Sequence, residues 1–288
     1  MMVLLACVKD NQTPQPDDDL PGLFSIRQMV RLPATLIESS GLLAFSDNKL
    51  WTHNDSGNTN ELFSIDTTAQ IIRTLLISNV QNHDWEDLAI DVQGRVYICD
   101  TGNNNNNRTN LAIYRIPKPE TIVGNTVTAE IINYSFEDQT SFPPAQTQRH
   151  YDVEAVVWKN DSLFMFTKNR CTPFTGITRL YAIPAQPGTH VARLLGSYFV
   201  EGDQFQARIT AADLNFETGE LVLLTRSRII SFTNYPGSRF FEGTVIDYKF
   251  PIQLGQAEAI AFHTSRKLYI TEEGFSGQGG FLYEVTLP

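Results

Sequence analysis

The alternation of hydrophobic and polar positions repeats five times along the chain. Each repeat begins with a small or acidic residue, runs into an apolar stretch, passes through a polar turn and enters a second apolar stretch. The first stretches are residues 39–45, 84–90, 152–158, 210–216 and 256–262, and the second are residues 49–52, 95–98, 162–165, 220–223 and 267–270. The repeats begin roughly 45 to 70 residues apart, in the range of propeller blades. The pattern therefore predicts a radial array of four-stranded sheets.

Third and fourth strands can be placed after most of these pairs, because aromatic and β-branched residues recur between turn-forming residues. They are residues 61–65 and 71–76, 111–116 and 127–132, 179–183 and 191–200, and 228–232 and 244–248. The fifth repeat ends after residues 281–285, and residues 24–30 could supply its missing strand. Such a pairing would close the ring and remove its exposed edges.

The predicted fold is therefore an all-β, single closed β-propeller, most simply with five blades. Six blades stay open as an alternative, because residues 143–148 and 235–241 could contain further strands. The chain has 288 residues and 42% hydrophobic residues, which suits one domain over residues 21–288. Its net charge of −10 argues against a nucleic-acid partner, since few bases are available to neutralise phosphates. We expect a monomer.

The first twenty residues differ from the rest of the chain. Residues 3–7 read Val-Leu-Leu-Ala-Cys and resemble the lipobox of bacterial lipoproteins, in which the cysteine, here Cys7, is lipidated. Residues 8–20 are polar and proline-containing, which favours a flexible tether. We expect an extracytoplasmic protein, anchored to the bacterial cell envelope and touching the membrane only through its lipid. A disordered leader with a chance cysteine is the alternative.

Two further cysteines, Cys99 and Cys171, follow the second strands of consecutive repeats. They could pair across neighbouring blades in an oxidising compartment, or remain as unpaired thiols.

Polar residues gather at one face of the predicted ring. Because consecutive strands are antiparallel, the start of each first strand and the end of each second strand open on the same face. These positions supply our candidates for ligand or metal binding: His53, Asn54, Asp55, His83, Asp84, Glu86, Asp100, Asn103, Asn104, His150, Asp152, Glu154, Lys168, Asn169, Arg226, Glu258, Glu272 and Glu273. Among them we expect Glu86, Asp100, Glu154 and Glu258 to approach one another around the channel mouth.

Three interpretations of this acidic face stay open. Carboxylate and amide oxygens around one axis could hold calcium. The same carboxylates could instead form a structural network with bases such as Lys168, Arg149, Arg170 and Arg226, or they could act directly in catalysis. Three histidines, His53, His83 and His150, could bind a transition metal or serve as a general base, or could simply lie at the rim.

Several motifs in combination resemble a group of uncharacterised bacterial β-propeller proteins that are described as phytase-like. The matching segments are residues 40–42, 50–57, 84–89, 97–104, 152–155, 209–213, 258–261 and 271–274, so that the resemblance covers roughly residues 35 to 288. It implies a propeller and an extracytoplasmic setting. Calcium-dependent propeller hydrolases, including phytases and lactonases, are similar in general plan.

Two functions remain in competition. The first is a surface-tethered propeller whose acidic face binds a small molecule, a glycan or a protein, with a cation as an optional partner. The second is a calcium- or other metal-dependent hydrolase of a phosphoester, lactone or ester, with Glu86, Glu154 or a rim histidine as the base. The lack of a recognisable nucleophile motif favours binding.

Overall fold

The computed structural model describes residues 23–46 and 48–288, which form an all-β structure. The strands are β1 (Ser25–Arg31), β2 (Ser39–Ser46), β3 (Lys49–Asn54), β4 (Glu61–Ile65), β5 (Ile71–Ile77), β6 (Trp85–Ile90), β7 (Val96–Asp100), β8 (Ala112–Ile116), β9 (Thr126–Val127), β10 (Glu130–Phe136), β11 (Val153–Lys159), β12 (Ser162–Thr167), β13 (Ile177–Pro184), β14 (Gly188–Phe199), β15 (Ile209–Leu214), β16 (Leu221–Thr225), β17 (Arg228–Thr233), β18 (Thr244–Lys249), β19 (Gln256–Phe262), β20 (Lys267–Glu273) and β21 (Phe281–Thr286). Helical structure in this part of the chain is limited to four 3₁₀ turns of three residues each. None of its helices has the length and apolar character needed to cross a membrane. The leader, residues 1–20, and its Cys7 lie outside the described residues.

The strands form sheets whose members mostly follow one another along the chain. Strands β2 to β5 form one sheet, to which β9 adds a parallel edge, and β15 to β18 form another. An eight-stranded sheet contains two antiparallel groups, β6–β7–β8–β10 and β11 to β14, which are joined by the parallel pairing of β10 with β14. The last sheet has the order β1–β21–β20–β19.

The N-terminal strand completes this last sheet. β1 pairs antiparallel with β21, so that Ser25 lies opposite Thr286 and Arg31 lies opposite Phe281. The ring of Phe24 stacks on that of Tyr248, with 5.3 Å between the centroids. This pairing agrees with the expectation that residues 24–30 supply the strand that the fifth repeat lacks.

The first strands of the five repeats contact one another in a cyclic order. β2 contacts β6, β6 contacts β11, β11 contacts β15, β15 contacts β19, and β19 contacts β2. Side-chain hydroxyls link neighbours across these contacts: Ser40 donates to the carbonyl of Glu86 at 2.6 Å, and Thr210 donates to that of Ala257 at 2.7 Å. Apolar side chains from adjacent sheets fill the space between them, with Trp51 and Trp85 among the buried members of one cluster.

The second repeat corrects one predicted strand. We expected residues 127–132, but the fourth strand of this group is β10, Glu130–Phe136. Its buried side chains alternate through Ile132, Tyr134 and Phe136, so the period-two pattern continues beyond the predicted end. The two segments that could have contained further strands, residues 143–148 and 235–241, contain none. The 3₁₀ turn Gln146–Gln148 lies in the first, and the turn Phe240–Glu242 begins in the second.

Candidate functional site

Every first strand has a β-bulge near its start. The register between first and second strand shifts by one residue at Gly41 in β2, Glu86 in β6, Glu154 in β11, Thr210 in β15 and Glu258 in β19. A bulge leaves one residue unpaired and re-aims its side chain, and bulges are frequent beside binding sites. The repeated bulge therefore presents one side chain from each repeat at equivalent positions.

Four of these bulge residues line one cavity. Its volume is about 240 Å³. Its lining residues are Asp55, Glu86, Asn104, Glu154, Lys168, Arg170, Gln204, Phe205, Arg208, Thr210, Arg226, Gln256, Glu258 and Glu273. The first repeat differs because Gly41 has φ +64°, and a Cβ there would collide with His53.

One wall of the cavity pairs acids with bases. The Nζ of Lys168 lies 2.8 Å from a Glu154 oxygen and 3.5 Å from a Glu258 oxygen. Arg170 contacts Asp152 and donates to Glu154 at 2.9 Å. Burial lowers the pKa of Lys168, but the charges of Glu154 and Glu258 outweigh it and hold this pKa above its usual value. This wall resembles the structural network among the sequence-based alternatives.

A group of acids that form no ion pair with a base in the described part of the chain adjoins this wall. Oxygens of Asp55, Asp84 and Glu86 lie within 4.8 Å of one another. Glu86 is only 4% exposed, and its carboxylate has no hydrogen bond or ion pair to any residue that the structure describes. A Cβ on Gly102 would overlap the carboxylates of Asp84 and Glu86, so the glycine keeps this space open.

The pKa values of these three acids are raised by the same causes. Burial, followed by repulsion from Glu154 and other acids, raises the pKa of Asp55 to about 8. Burial and repulsion from Asp152 raise that of Asp84 to about 6. Burial and Glu154 raise that of Glu86 well above its usual value. Such a site holds either protons or a cation, and its all-oxygen donor set suits calcium.

The second acidic group is a poorer cation site. It consists of Glu86, Asp152 and Glu154, whose oxygens also lie close together. Two of the three already face Arg170, and Glu154 also binds Lys168. A cation there would have to displace or face these bases.

The structure divides the sequence-based candidates into two sets. Those lining the cavity are Asp55, Glu86, Asn104, Glu154, Lys168, Arg226, Glu258 and Glu273. Asp84 lies beside the cavity, close to Asp55 and Glu86, and Asp152 contacts the lining residue Arg170. The remaining candidates are placed outside the cavity.

Asp100 is the main correction among the carboxylates. It does not join Glu86, Glu154 and Glu258. Instead it accepts hydrogen bonds from Tyr114 at 2.7 Å and Arg108 at 2.8 Å, and it contacts His83 at 2.8 Å. Asp100 is the last residue of β7 and opposes Trp85, so its side chain packs within the sheet group.

Four other candidates support loops. Asn54 donates to the Thr35 carbonyl, Asn103 to that of Tyr151 and Asn169 to that of Ile177, at 2.8 to 2.9 Å. Glu272 accepts from the backbone of Gly255 at 2.7 Å. All four side chains fix the loops around the mouth rather than line it.

The three histidines make their contacts in different places, which favours the alternative in which they serve no common metal or base site. His53 is buried edge-on to Trp85, and burial lowers its pKa to about 4. Burial and Arg179 likewise lower the pKa of His150 to about 4, and its Nε2 lies 3.2 Å from Cys171 Sγ. His83 is half-exposed on Asp100. Cys99 and Cys171 are free and buried.

Sequence reasoning missed the loop before β15. It contributes Gln204, Phe205 and Arg208 to the cavity. One signal could have found Arg208: it stands two residues before the bulge residue Thr210, as Asp84 stands before Glu86. The other repeats begin two residues before their bulge, whereas the predicted fourth repeat begins at the bulge residue Thr210 and so starts two residues after Arg208.

Comparison with solved structures supports the fold alone. The structure is similar to the PQQ-bound aldose sugar dehydrogenase of Streptomyces coelicolor, with a TM-score of 0.50, 12% identity and coverage of 92% of this chain and 99% of that chain. It also matches a streptogramin B lyase (TM-score 0.44, 12% identity, 92% and 98% covered) and a gluconolactonase from Xanthomonas campestris (TM-score 0.45, 11% identity, 87% and 72% covered). No protein-family model and no curated protein matches the chain. The likeness to the dehydrogenase shows a propeller-like all-β fold, which carries no activity with it.

Proposed function

We propose that this protein is a ligand-binding β-propeller that holds a calcium ion at Asp55, Asp84 and Glu86 and receives its ligand, a small molecule, glycan or protein, in the adjoining cavity. The observation that carries this proposal is the Glu86 carboxylate, which is buried, forms no ion pair in the described part of the chain and lies close to Asp55 and Asp84. An unpaired buried charge is costly, and a divalent cation would relieve both the burial cost and the repulsion.

Calcium titration of the full chain by calorimetry tests the proposal. We expect saturable binding that Glu86→Gln weakens roughly tenfold or more, equivalent to about 1.4 kcal/mol. Calcium should also raise the Tm of the parent, because a ligand that binds only the folded state stabilises it. In chelator, Glu86→Gln should be neutral or stabilising, since it removes repulsion between carboxylates.

Glu258→Gln is the matched control. It removes the same charge from the equivalent bulge of β19, but Glu258 faces Lys168 and Arg226. Calcium affinity should change much less in this variant than in Glu86→Gln. An identical calcium response in Glu86→Gln and the parent would exclude this site.

Hydrolysis is the second candidate, and Glu273 is the observation that favours it. Burial and repulsion from Glu258 raise the pKa of this cavity-lining carboxyl to about 8, so it can carry a proton near neutral pH and act as a general acid. An esterase, lactonase and phosphatase screen with calcium and with chelator separates the two functions. Turnover that Glu273→Gln abolishes would favour the hydrolase.

The number of blades and the closure of the ring are also part of our proposal. We propose one closed ring of five blades, with β1 completing the last blade. The cyclic contacts of β2, β6, β11, β15 and β19 support it, as does the pairing of β1 with β21.

We also propose a monomer that is lipid-anchored at Cys7 outside the cytoplasm. The lipobox-like segment supports the anchor. Cys7→Ser should move the protein from the membrane fraction to the soluble fraction of bacterial cells. Unchanged fractionation would overturn the anchor.

A further inference from the structure

The bases of the cavity differ in how they are neutralised. Lys168 faces Glu154 and Glu258, and Arg170 faces Asp152 and Glu154. Arg226 contacts Gln256 and lies 3.5 Å from Glu258. Each of these three cations therefore has a carboxylate beside it.

Arg208 is the exception. Its Nε donates to the Asn169 carbonyl at 3.0 Å, and its Nη2 contacts Gln204 at 3.5 Å. Among residues 23–46 and 48–288, no carboxylate lies within ion-pair distance of its guanidinium. Burial, followed by the neighbouring Arg170, lowers the pKa of Arg208, whereas the charges of Asp152 and Glu154 raise it. The guanidinium thus keeps donors free that face no carboxylate at ion-pair distance and could bind an anion.

Phe205 lies on the same loop and lines the same cavity. Its side chain is 61% exposed, and it is the one aromatic ring among the described residues that line this cavity. The loop that carries it is held in place: Asp203 Oδ1 accepts from the backbone of Phe205 at 2.8 Å and from that of Gln206 at 3.1 Å. The ring is therefore presented to the cavity by a fixed turn.

We propose that Arg208 and Phe205 form an anion subsite that binds the carboxylate or phosphate of a small, ring-containing organic ligand. The guanidinium would hold the oxyanion through paired hydrogen bonds, and the phenyl ring would pack against the ring of the ligand. The cavity has a volume of about 240 Å³, and we expect the part of the ligand inside it to be a single small ring with its substituents.

This inference deepens the proposed function and rests on it only for the part of the ligand that contacts calcium. The calcium ion at Asp55, Asp84 and Glu86 would meet hydroxyl or carbonyl oxygens of that part. The subsite at Arg208 depends only on its own contacts. Calcium binding and anion binding can therefore succeed or fail separately.

Four probes test the subsite: benzoate, phenyl phosphate, benzyl alcohol and inorganic phosphate, each titrated into the full chain with calcium and with chelator. We expect one of the two ring anions to bind better than inorganic phosphate, and benzyl alcohol not to bind. Whichever ring anion binds more tightly identifies the oxyanion as carboxylate or phosphate. Failure of both ring anions to bind at millimolar concentration in either condition would overturn the subsite.

Variants distinguish the subsite from the general charge of the cavity. Arg208→Gln should weaken the bound ring anion roughly tenfold to a hundredfold, the range of a charge-assisted hydrogen bond. Arg208→Lys keeps the charge but loses the paired donors and should recover only part of that affinity. Arg226→Gln removes the same charge from the same cavity and should have a smaller effect. Equal losses in Arg208→Gln and Arg226→Gln would contradict the assignment.

The same titrations separate this inference from the function on which it rests. If calcium fails to bind but benzoate or phenyl phosphate binds through Arg208, the subsite stands and the calcium proposal fails. If calcium binds at Glu86 and neither ring anion binds, the calcium proposal stands and the subsite fails. Thermal unfolding of each variant in chelator identifies any that lose the fold, and Arg208→Lys then carries the test.

Discussion

Three bulge glutamates show how neighbours give one residue type different chemistry. Glu154 lies between Lys168 and Arg170, so its charge is compensated within the wall. Glu258 is 3.5 Å from its nearest bases, Lys168 and Arg226. Glu86 lies close to several acids and forms no ion pair in the described part of the chain, so a cation would stabilise it more than the other two.

Glu273 gives a pH-dependence at the scale of one residue. Its folded pKa of about 8 lies above its usual 4.5. Between these values the folded state keeps a proton that the unfolded chain has lost, so the free energy of unfolding falls as pH rises from about 4.5 to 8. Glu273→Gln should make this dependence less steep, while Asp55, Asp84 and Glu86 keep their share of it, and it should be more stable than the parent at pH 9.

Urea unfolding in chelator at pH 5, 7 and 9 measures this effect. Glu217→Gln, at an exposed loop position, is the control and should follow the parent at each pH. A Glu273→Gln variant that loses stability between pH 5 and 9 as steeply as the parent would show that Glu273 is not the titrating group.

At the scale of elements, the strands were predictable and the bulges were not. Alternating apolar residues located strands such as Glu61–Ile65, whose bounds match the prediction. A bulge adds one residue to a strand, and this changes which of the neighbouring side chains face the cavity. The hydrophobic pattern does not indicate where that extra residue occurs. The positions of Asp84 and Glu86 at a strand start indicated the face of the ring on which they lie, whereas the inward packing of Asp100 and His53 required the three-dimensional structure.

The loop before β15 escaped prediction for a different reason. Phe205 occupies no repeated position, and it reaches the cavity only because the connection from β14 to β15 crosses its rim. Tertiary placement of a loop depends on the elements that carry it. The repeat spacing could have identified Arg208, but local sequence could not identify Phe205.

The N-terminal strand gives a prediction at the element scale. β1 supplies the outer edge of the last sheet, Phe24 stacks on Tyr248, and Arg27 pairs with Glu284 at 2.8 Å. Removing residues 1–30 should therefore lower the Tm by roughly 5 °C or more, because it exposes β21 and loses burial. Removing residues 1–20 should leave the Tm nearly unchanged, because residues 8–20 are polar and the whole stretch lacks a core-forming pattern.

Differential scanning calorimetry of the two truncations and the full chain makes the comparison. The shorter deletion controls for the loss of chain length. Equal shifts in the two truncated proteins would contradict the role of β1 as a structural strand.

At the scale of the whole molecule, the site depends on all repeats together. Glu86, Glu154, Thr210 and Glu258 come from four different first strands and meet only because these strands contact one another around one axis. No single sheet contains the cation site and the anion subsite together. Changes that loosen contacts between sheets should therefore weaken both sites at once.

The proposed ring closure predicts that the chain can be cut elsewhere. Ser25 lies opposite Thr286, so the two ends of the described domain are neighbours, and a short flexible linker could join residue 288 to residue 23. New ends between Pro236 and Gly237, in the exposed turn after β17, would leave every strand with its partner available. This circular permutant should fold, with a Tm within several degrees of the parent, because exposed turns tolerate such cuts.

A second permutant with its ends between Ile229 and Ile230 is the matched control. These residues are buried in the middle of β17, which pairs with β16 and β18. A cut there should prevent folding, whereas the cut at Pro236 should preserve near-ultraviolet circular dichroism and the calcium response of the parent. If the Pro236 permutant also failed to fold, pairing of β1 with β21 could not be the joint that a closed ring requires, because joining those strands covalently should only strengthen it.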